Sequence, residues 1–238
     1  MPYRKHLMKT TDFLKALPLL PASWLSSLIQ QNKPLPQRQQ RAEQWAKSLL
    51  KTLGYPLTVK GVENIPLDET IYFVSNHQGT LDPVLVLASC PVHVAFISKK
   101  ENEKMPIFGR WARNIGTIHF DRNSREGNVH MLREAARSLK SGQNLLIFPE
   151  GTRSRGDRMN PFKEGSLLPA YLAKATIVPV TLENAYILDK NDDKSKQLGI
   201  TYGKPIRFAE YGRKDKGIFA QELHELIQSR IETSPVER

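Results

Sequence analysis

A chain of 238 residues, one quarter of them charged and carrying a net +11, has the length and composition to bury a globular core and is neither disordered nor fibrous. Its single cysteine, Cys90, excludes a disulfide framework or a cysteine-rich zinc site and suits a reducing compartment. No uninterrupted apolar run approaches ~18 residues, which excludes a membrane-spanning helix, and Lys15, Pro18 and Pro21 break the one stretch a secretory signal would need.

The charge is concentrated at the start. Residues 1–60 hold ten Lys/Arg against two Asp/Glu, a net +8, leaving +3 for the other 178 residues. Such an arm is drawn to an anionic surface, whether nucleic acid, acidic lipid or an acidic protein. Within it Phe13, Leu14, Leu17, Leu20, Trp24, Leu25, Leu28 and Ile29 follow helical spacing, which Pro18 and Pro21 divide, with Pro21 near the start of a second helix. A cleaner amphipathic helix follows, with Ala42, Trp45, Ala46, Leu49, Leu50 and Leu53 on one face and Gly54 as its stop. Two readings stand beside each other: helices lying in a membrane interface with tryptophans at head-group depth, or ordinary helices packed on a core. The local charge favours the membrane, so residues 1–55 are expected as a membrane-associating helical segment and 56–238 as an α/β domain.

After Pro56 strands are expected at 57–62 and 71–75, a helix at 83–89, a strand at 93–98 and a mixed stretch at 100–113 broken by Pro106 and Gly109. A strand at 117–120 leads to a helix at 126–140, stopped by Ser141-Gly142; then come a strand at 145–148, a helix at 166–174 and a strand at 176–182. Residues 189–197 read as loop, 200–202 and 206–208 as strands, and 218–231 as a closing amphipathic helix. This alternation predicts an α/β fold, a mixed, largely parallel sheet flanked by helices, with an N-terminal amphipathic helical pair. In such sheets ligands gather at the carboxyl ends of strands.

Three strand-end loops carry charged residues. The first spans 76–82 and holds His77 and Asp82. On one helix these two would point about 140° apart, but a loop folding back on a helix start can bring them together. Pro83 in the first turn makes Asp82 the last non-helical residue. A carboxylate on one imidazole nitrogen fixes the tautomer and frees the other nitrogen as a base. Alternatively Asp82 only caps the helix and His77 only bonds loop backbone. The second loop, at 116–122, sets Arg122 just past a strand. The third, at 148–155, offers Gly151 for close backbone approach, the Thr152 hydroxyl, and the planar donor fork of Arg153, suited to phosphate. Glu150 beside them orients an arginine or accepts from a substrate hydroxyl. Any one such loop is commonly a solvated turn with a structural Glu–Arg pair; three of matching character argue for a site.

Together these residues resemble the glycerophospholipid acyltransferase family, most closely its 1-acylglycerol-3-phosphate (PlsC-type) members. The Asn-His-x4-Asp motif matches at Asn76, His77 and Asp82; a Gly with a closing Arg matches at Gly116 and Arg122; Phe-Pro-Glu-Gly-Thr-Arg-Ser matches at 148–154; and Val-Pro-Val matches at 178–180. His119 departs from the aliphatic or aromatic residue usual in the second motif. Lys99-Lys100-Glu101 with Pro106 and Gly109, and Phe162-Lys163 with Gly165, are weaker echoes. The resemblance implies that His77 is the general base on the 2-hydroxyl of lysophosphatidate and that Asp82 holds its ring. It implies acyl-CoA or acyl-carrier protein as donor, with neither metal nor cofactor. The phosphate-binding set would be Arg122, Arg153 and Lys99, with Glu150, Gly151 and Thr152 around them. A peripheral place on the cytoplasmic face of an anionic membrane follows from the same likeness. Glycerol-3-phosphate or another lysophospholipid is the alternative acceptor, although Phe148-Pro149 leans toward lysophosphatidate. A His/Asp-dependent lipid hydrolase is a further alternative, weakened by the lack of a Gly-x-Ser-x-Gly elbow. No nucleic-acid partner is expected, because no reading helix, zinc finger or aromatic RNP-like pattern is present.

Overall fold

The computed structural model describes residues 10–121, 123–163, 165–189 and 197–233. Three helices open it: α1 (Thr10–Ala16), α2 (Leu19–Gln30) and α3 (Leu35–Leu53). Gly54 ends α3 with φ 76°, the left-handed conformation glycine takes freely, and its N–H donates to Leu50 O. Then follow β1 (Leu57–Lys60), β2 (Ile71–Ser75), α4 (Asp82–Ser89), β3 (Ala95–Lys99), α5 (Phe108–Asn114) and β4 (Ile118–Phe120). The second half holds α6 (Arg125–Lys140), β5 (Leu145–Ile147), α7 (Leu168–Ala173), β6 (Thr176–Glu183), β7 (Leu198–Tyr202), α8 (Phe208–Tyr211) and α9 (Lys216–Thr233).

The strands form one seven-stranded sheet in the order β1-β7-β6-β2-β5-β3-β4. Among the described strands, β6 and β7 pair antiparallel and the other neighbours pair parallel. The central strand β2 is buried on both faces, as a parallel strand between helical layers must be. Ile71 and Phe73 point into a core shared with Ala42, Ala46, Leu50 and Leu53 of α3 and Val84 and Leu85 of α4. Tyr72 and Val74 point into the opposite core, with Met131, Ala135 and Leu139 of α6, Ala170 of α7, and Phe219, Leu223 and Ile227 of α9. This alternation gives the predicted α/β architecture, a largely parallel sheet flanked by helices.

One expected strand is absent. Residues 206–208 make a single bridge, Ile206 to Ile177, before the chain turns into α8. Pro205 has no N–H for a ladder, and Glu210 accepts from the Arg207 N–H at 2.8 Å, closing the first helical turn instead. Asp82 is also displaced by one position: Leu81 is the N-cap, and Asp82 is the first helical residue.

The α2 helix is inverted relative to an ordinary surface helix. Ser23, Ser26 and Ser27 face inward, while Trp24, Leu25 and Ile29 are exposed. The serines are hydrogen-bonded where they pack: Ser23 Oγ accepts from Trp111 Nε1 at 3.0 Å, and Ser27 O accepts from Asn114 Nδ2 at 2.8 Å. Phe13, Leu14 and Leu17 extend the exposed apolar surface along the segment that precedes it. Among the described residues no helix is long and apolar enough to cross a membrane.

Candidate active site

Strands β2, β3, β4, β5 and β6 all run the same way, so the loops after them emerge at one edge of the sheet. The loop after β2 folds back on the start of α4. His77 Nδ1 lies 2.7 Å from Asp82 Oδ2. The Asp82 carboxylate is fully buried and also accepts the Gln78 N–H at 2.7 Å and the Gly79 N–H at 2.9 Å. These amides occupy the acceptor directions left beside the imidazole, so Nδ1 completes the set as a donor and carries the proton. His77 Nε2 then faces out as an acceptor, with no hydrogen bond among the described residues, and the side chain is 21% exposed. Of the two uses that the sequence left open for Asp82, it makes the contact with the imidazole and does not cap α4, since its backbone donors, Gln78 and Gly79, lie in the loop before that helix. Gly79 makes the fold-back possible: a Cβ there would stand 2.7 Å from Ala185 O.

The loop after β5 grips the histidine. The Phe148 ring stacks on the imidazole with centroids 4.2 Å apart and planes 19° apart. Glu150 Oε1 accepts the His77 N–H at 2.7 Å, and the Ser154 N–H donates to His77 O at 2.7 Å. Glu150 Oε2 takes the Asn160 N–H and side-chain amide at 2.7 and 2.9 Å. Burial pushes the Glu150 carboxyl above its ordinary range, against the pull of the Asn160 and His77 donors. The Asn76 side chain bridges to β6, exchanging hydrogen bonds with Leu182 N and O, while Gln78 Oε1 accepts from Ala185 N.

Arg153 stands beside this dyad. Its Nη1 donates to Thr80 Oγ1 and, at 3.0 Å, to Asp189 Oδ2. Gly151 takes φ 68° and spends its N–H on Phe148 O at 3.0 Å, so it shapes the turn. Thr152 is exposed beside it, and Lys99 ends β3 at the same sheet edge. Arg122 lies outside the described residues. His119 sits on β4, where burial lowers the affinity of its imidazole for a proton.

An acyltransferase family profile matches residues 56–183, more than half of the chain and all three of these loops. The chain belongs to the acyltransferase family. Relatives include a 1-acyl-sn-glycerol-3-phosphate acyltransferase of Cocos nucifera, 29% identical over 192 residues, covering 79% of this chain and 62% of that protein. A chloroplastic enzyme of the same description from Arabidopsis thaliana is 36% identical over 130 residues, covering 54% of this chain and 36% of its own length. One from Helicobacter pylori is 35% identical over 113 residues, 47% of this chain and 48% of that one. The chain thus spans under two thirds of the length of these curated relatives. The crystal structure of the 1-acyl-sn-glycerophosphate acyltransferase PlsC from Thermotoga maritima superposes with a TM-score of 0.75 at 25% identity, covering 94% of this chain and 93% of that one.

One site expectation changes with the geometry. The sequence offers Glu150 to an arginine, to a substrate hydroxyl or to the phosphate-binding set, yet it is 1% exposed and its two oxygens accept from His77 and Asn160. A buried anion would repel a phosphate, so Glu150 acts as a brace for the His77 backbone. Its surroundings are all donors, and an amide there must turn an NH2 toward one of them. Glu150→Gln is therefore expected to lower stability by about 2–3 kcal/mol, and to lower kcat with it. Denaturant unfolding and initial rates check this; unchanged stability with tighter acceptor binding would restore the phosphate-contact reading.

Sequence reasoning missed Phe148 as a ring partner, Asn160 and Asp189. Asn160 has no local signal, being ten positions from Glu150 across an irregular stretch. Asp189 had one: β6 is parallel to β2, so its following loop must leave at the same edge.

Proposed function

We propose that this chain transfers an acyl group from a thioester to the 2-hydroxyl of 1-acylglycerol-3-phosphate, giving phosphatidate for phospholipid synthesis. The observation that carries the reading is the 2.7 Å contact between His77 Nδ1 and Asp82 Oδ2, which leaves Nε2 as the free base. That each relative named above is described as acting on the same acyl-glycerol phosphate supports the choice of acceptor.

In this mechanism Nε2 of His77 takes the proton of the acceptor hydroxyl as its oxygen attacks the thioester carbonyl. Asp82 and the stacked Phe148 hold the imidazolium that forms. The tetrahedral carbon then expels the thiolate of CoA or of a carrier protein, and Nε2 returns its proton to that sulfur. The C–S bond is exchanged for a C–O bond, and no acyl-enzyme is needed. Arg153 binds the acceptor phosphate, with Lys99 and Thr152 as neighbours along the sheet edge, and Arg122 is the further cation that the second motif supplies.

The outward apolar face of α2 and the +8 of the first 60 residues support docking at an anionic lipid surface, such as a cytoplasmic leaflet, where a lysophospholipid acceptor would be found. The test is purified protein with lipid vesicles, offered thioesters of CoA and carrier protein together with lysophosphatidate, glycerol-3-phosphate or no acceptor, with products weighed by mass spectrometry. Phosphatidate is the expected product; free fatty acid alone would make the chain a hydrolase. In the same assay Arg153→Ala is expected to lower kcat/KM for lysophosphatidate about 10–100-fold, and a change confined to the thioester would defeat the phosphate assignment.

A further inference from the structure

We propose that Asp189 is a positioning residue that holds Arg153 in the orientation that receives the acceptor phosphate, making the loop after β6 a fourth contributor to the site. This rests on the reading that Arg153 binds that phosphate.

Asp189 Oδ2 collects three donors. They are the Thr80 N–H at 2.9 Å, the Thr80 hydroxyl at 3.0 Å and Arg153 Nη1 at 3.0 Å. One carboxylate oxygen therefore ties the arginine to the loop that carries His77 and Asp82. The side chain of Asp189 is 10% exposed and that of Arg153 28%, so the pair sits at the inner rim of the site. Only the Nη1 corner of the guanidinium is used. Nε and Nη2 make no hydrogen bond among the described residues, and these two parallel donors are the edge that meets two phosphate oxygens at once. An unanchored arginine has many rotamers to lose on binding; one fixed from behind has already lost them. The second carboxylate oxygen, Oδ1, is buried with no hydrogen-bond partner among the described residues, an uncommon cost for a fold to carry. Asp189 also holds its negative charge beside the guanidinium on the side away from the fork, where it orients the cation without occupying the donors that a phosphate needs. The opposite arrangement, in which Asp189 stands in for the phosphate and must be displaced, predicts the opposite sign on its removal.

The experiment uses the full chain carrying Asp189→Ala, Asp189→Asn, Arg153→Ala or Arg153→Ala with Asp189→Ala. Lysophosphatidate is varied at saturating thioester and the reverse, and thermal melts are recorded alongside. Asp189→Ala is expected to raise the KM for lysophosphatidate about tenfold, the scale of one charge-assisted hydrogen bond, with kcat and the thioester KM little changed. Asp189→Asn keeps an acceptor oxygen for Thr80 and should show a smaller rise; it also reads the effect if the alanine variant does not fold. In the Arg153→Ala background the Asp189 change should add nothing, because the residue acts through the arginine. A fall in acceptor KM, a loss of kcat alone, or full additivity in the double variant overturns the proposal. If Arg153→Ala shifts acceptor KM and Asp189→Ala does not, positioning fails while phosphate binding by Arg153 stands. If Arg153→Ala leaves acceptor KM unchanged, the underlying assignment itself has failed.

Discussion

Replacing His77 by alanine is expected to reduce acyl transfer by about 10²–10⁴-fold, the contribution of a positioned general base, while the chain stays folded. The loss follows from position: Nε2 is the ring nitrogen with no hydrogen bond among the described residues, in a dyad at the edge where five parallel strands end. Retention of the fold follows from where the structural bonds lie. Glu150 and Ser154 hold the backbone N–H and C=O of His77, and an alanine keeps both. The ring contributes its stack on Phe148, worth about 1 kcal/mol, which a domain of this size tolerates. Asp82 keeps its donors from Gln78 and Gly79. Initial rates with lysophosphatidate and a thioester, together with a thermal melt, decide the matter. A folded variant with a rate within tenfold of the parent chain would remove His77 from the chemistry.

Asp82→Asn carries the second large effect, a fall in kcat of about 10²–10³-fold, for a reason that charge alone does not supply. The carboxylate meets only donors: the Gln78 and Gly79 amides and His77 Nδ1–H. An asparagine must present its NH2 to one side. Turned toward the imidazole, it makes Nδ1 the acceptor and moves the ring proton to Nε2, so the base is lost. Turned toward the backbone amides, it opposes donor to donor in a fully buried place and destabilises the loop by about 1–3 kcal/mol. Nitrogen chemical shifts of the His77 ring separate the two cases. An Nδ1–H tautomer together with undiminished kcat would falsify the role of Asp82 as the residue that sets the tautomer.

Much of this is legible in the amino-acid sequence alone. The alternation of apolar strands with amphipathic helices was strong enough to place the sheet, and the three charged loops fell where strands end. Legibility failed in three kinds of place. Residues 206–208 are apolar enough for a strand, but Pro205 and the Glu210–Arg207 backbone contact end the ladder after one bridge. At Glu150 the residue type is readable and its neighbours are not, since Asn160 reaches it across an irregular segment with no periodicity. On α2 the apolar spacing is plain, yet spacing does not say which stripe faces in, and here three serines do.

The amino-acid sequence by itself determined the fold class, the position of His77 and Asp82 at a strand end, and the basic character of the first 60 residues, because these depend on local periodicity, local spacing and composition. Only the tertiary structure decided that Glu150 braces the His77 backbone and that Asp189 meets Arg153 over 36 positions. It also decided that α2 turns its apolar side outward. Those outcomes rest on which loops the parallel sheet brings to one edge and on which donors find a buried acceptor there, and neither is encoded in any short stretch of chain.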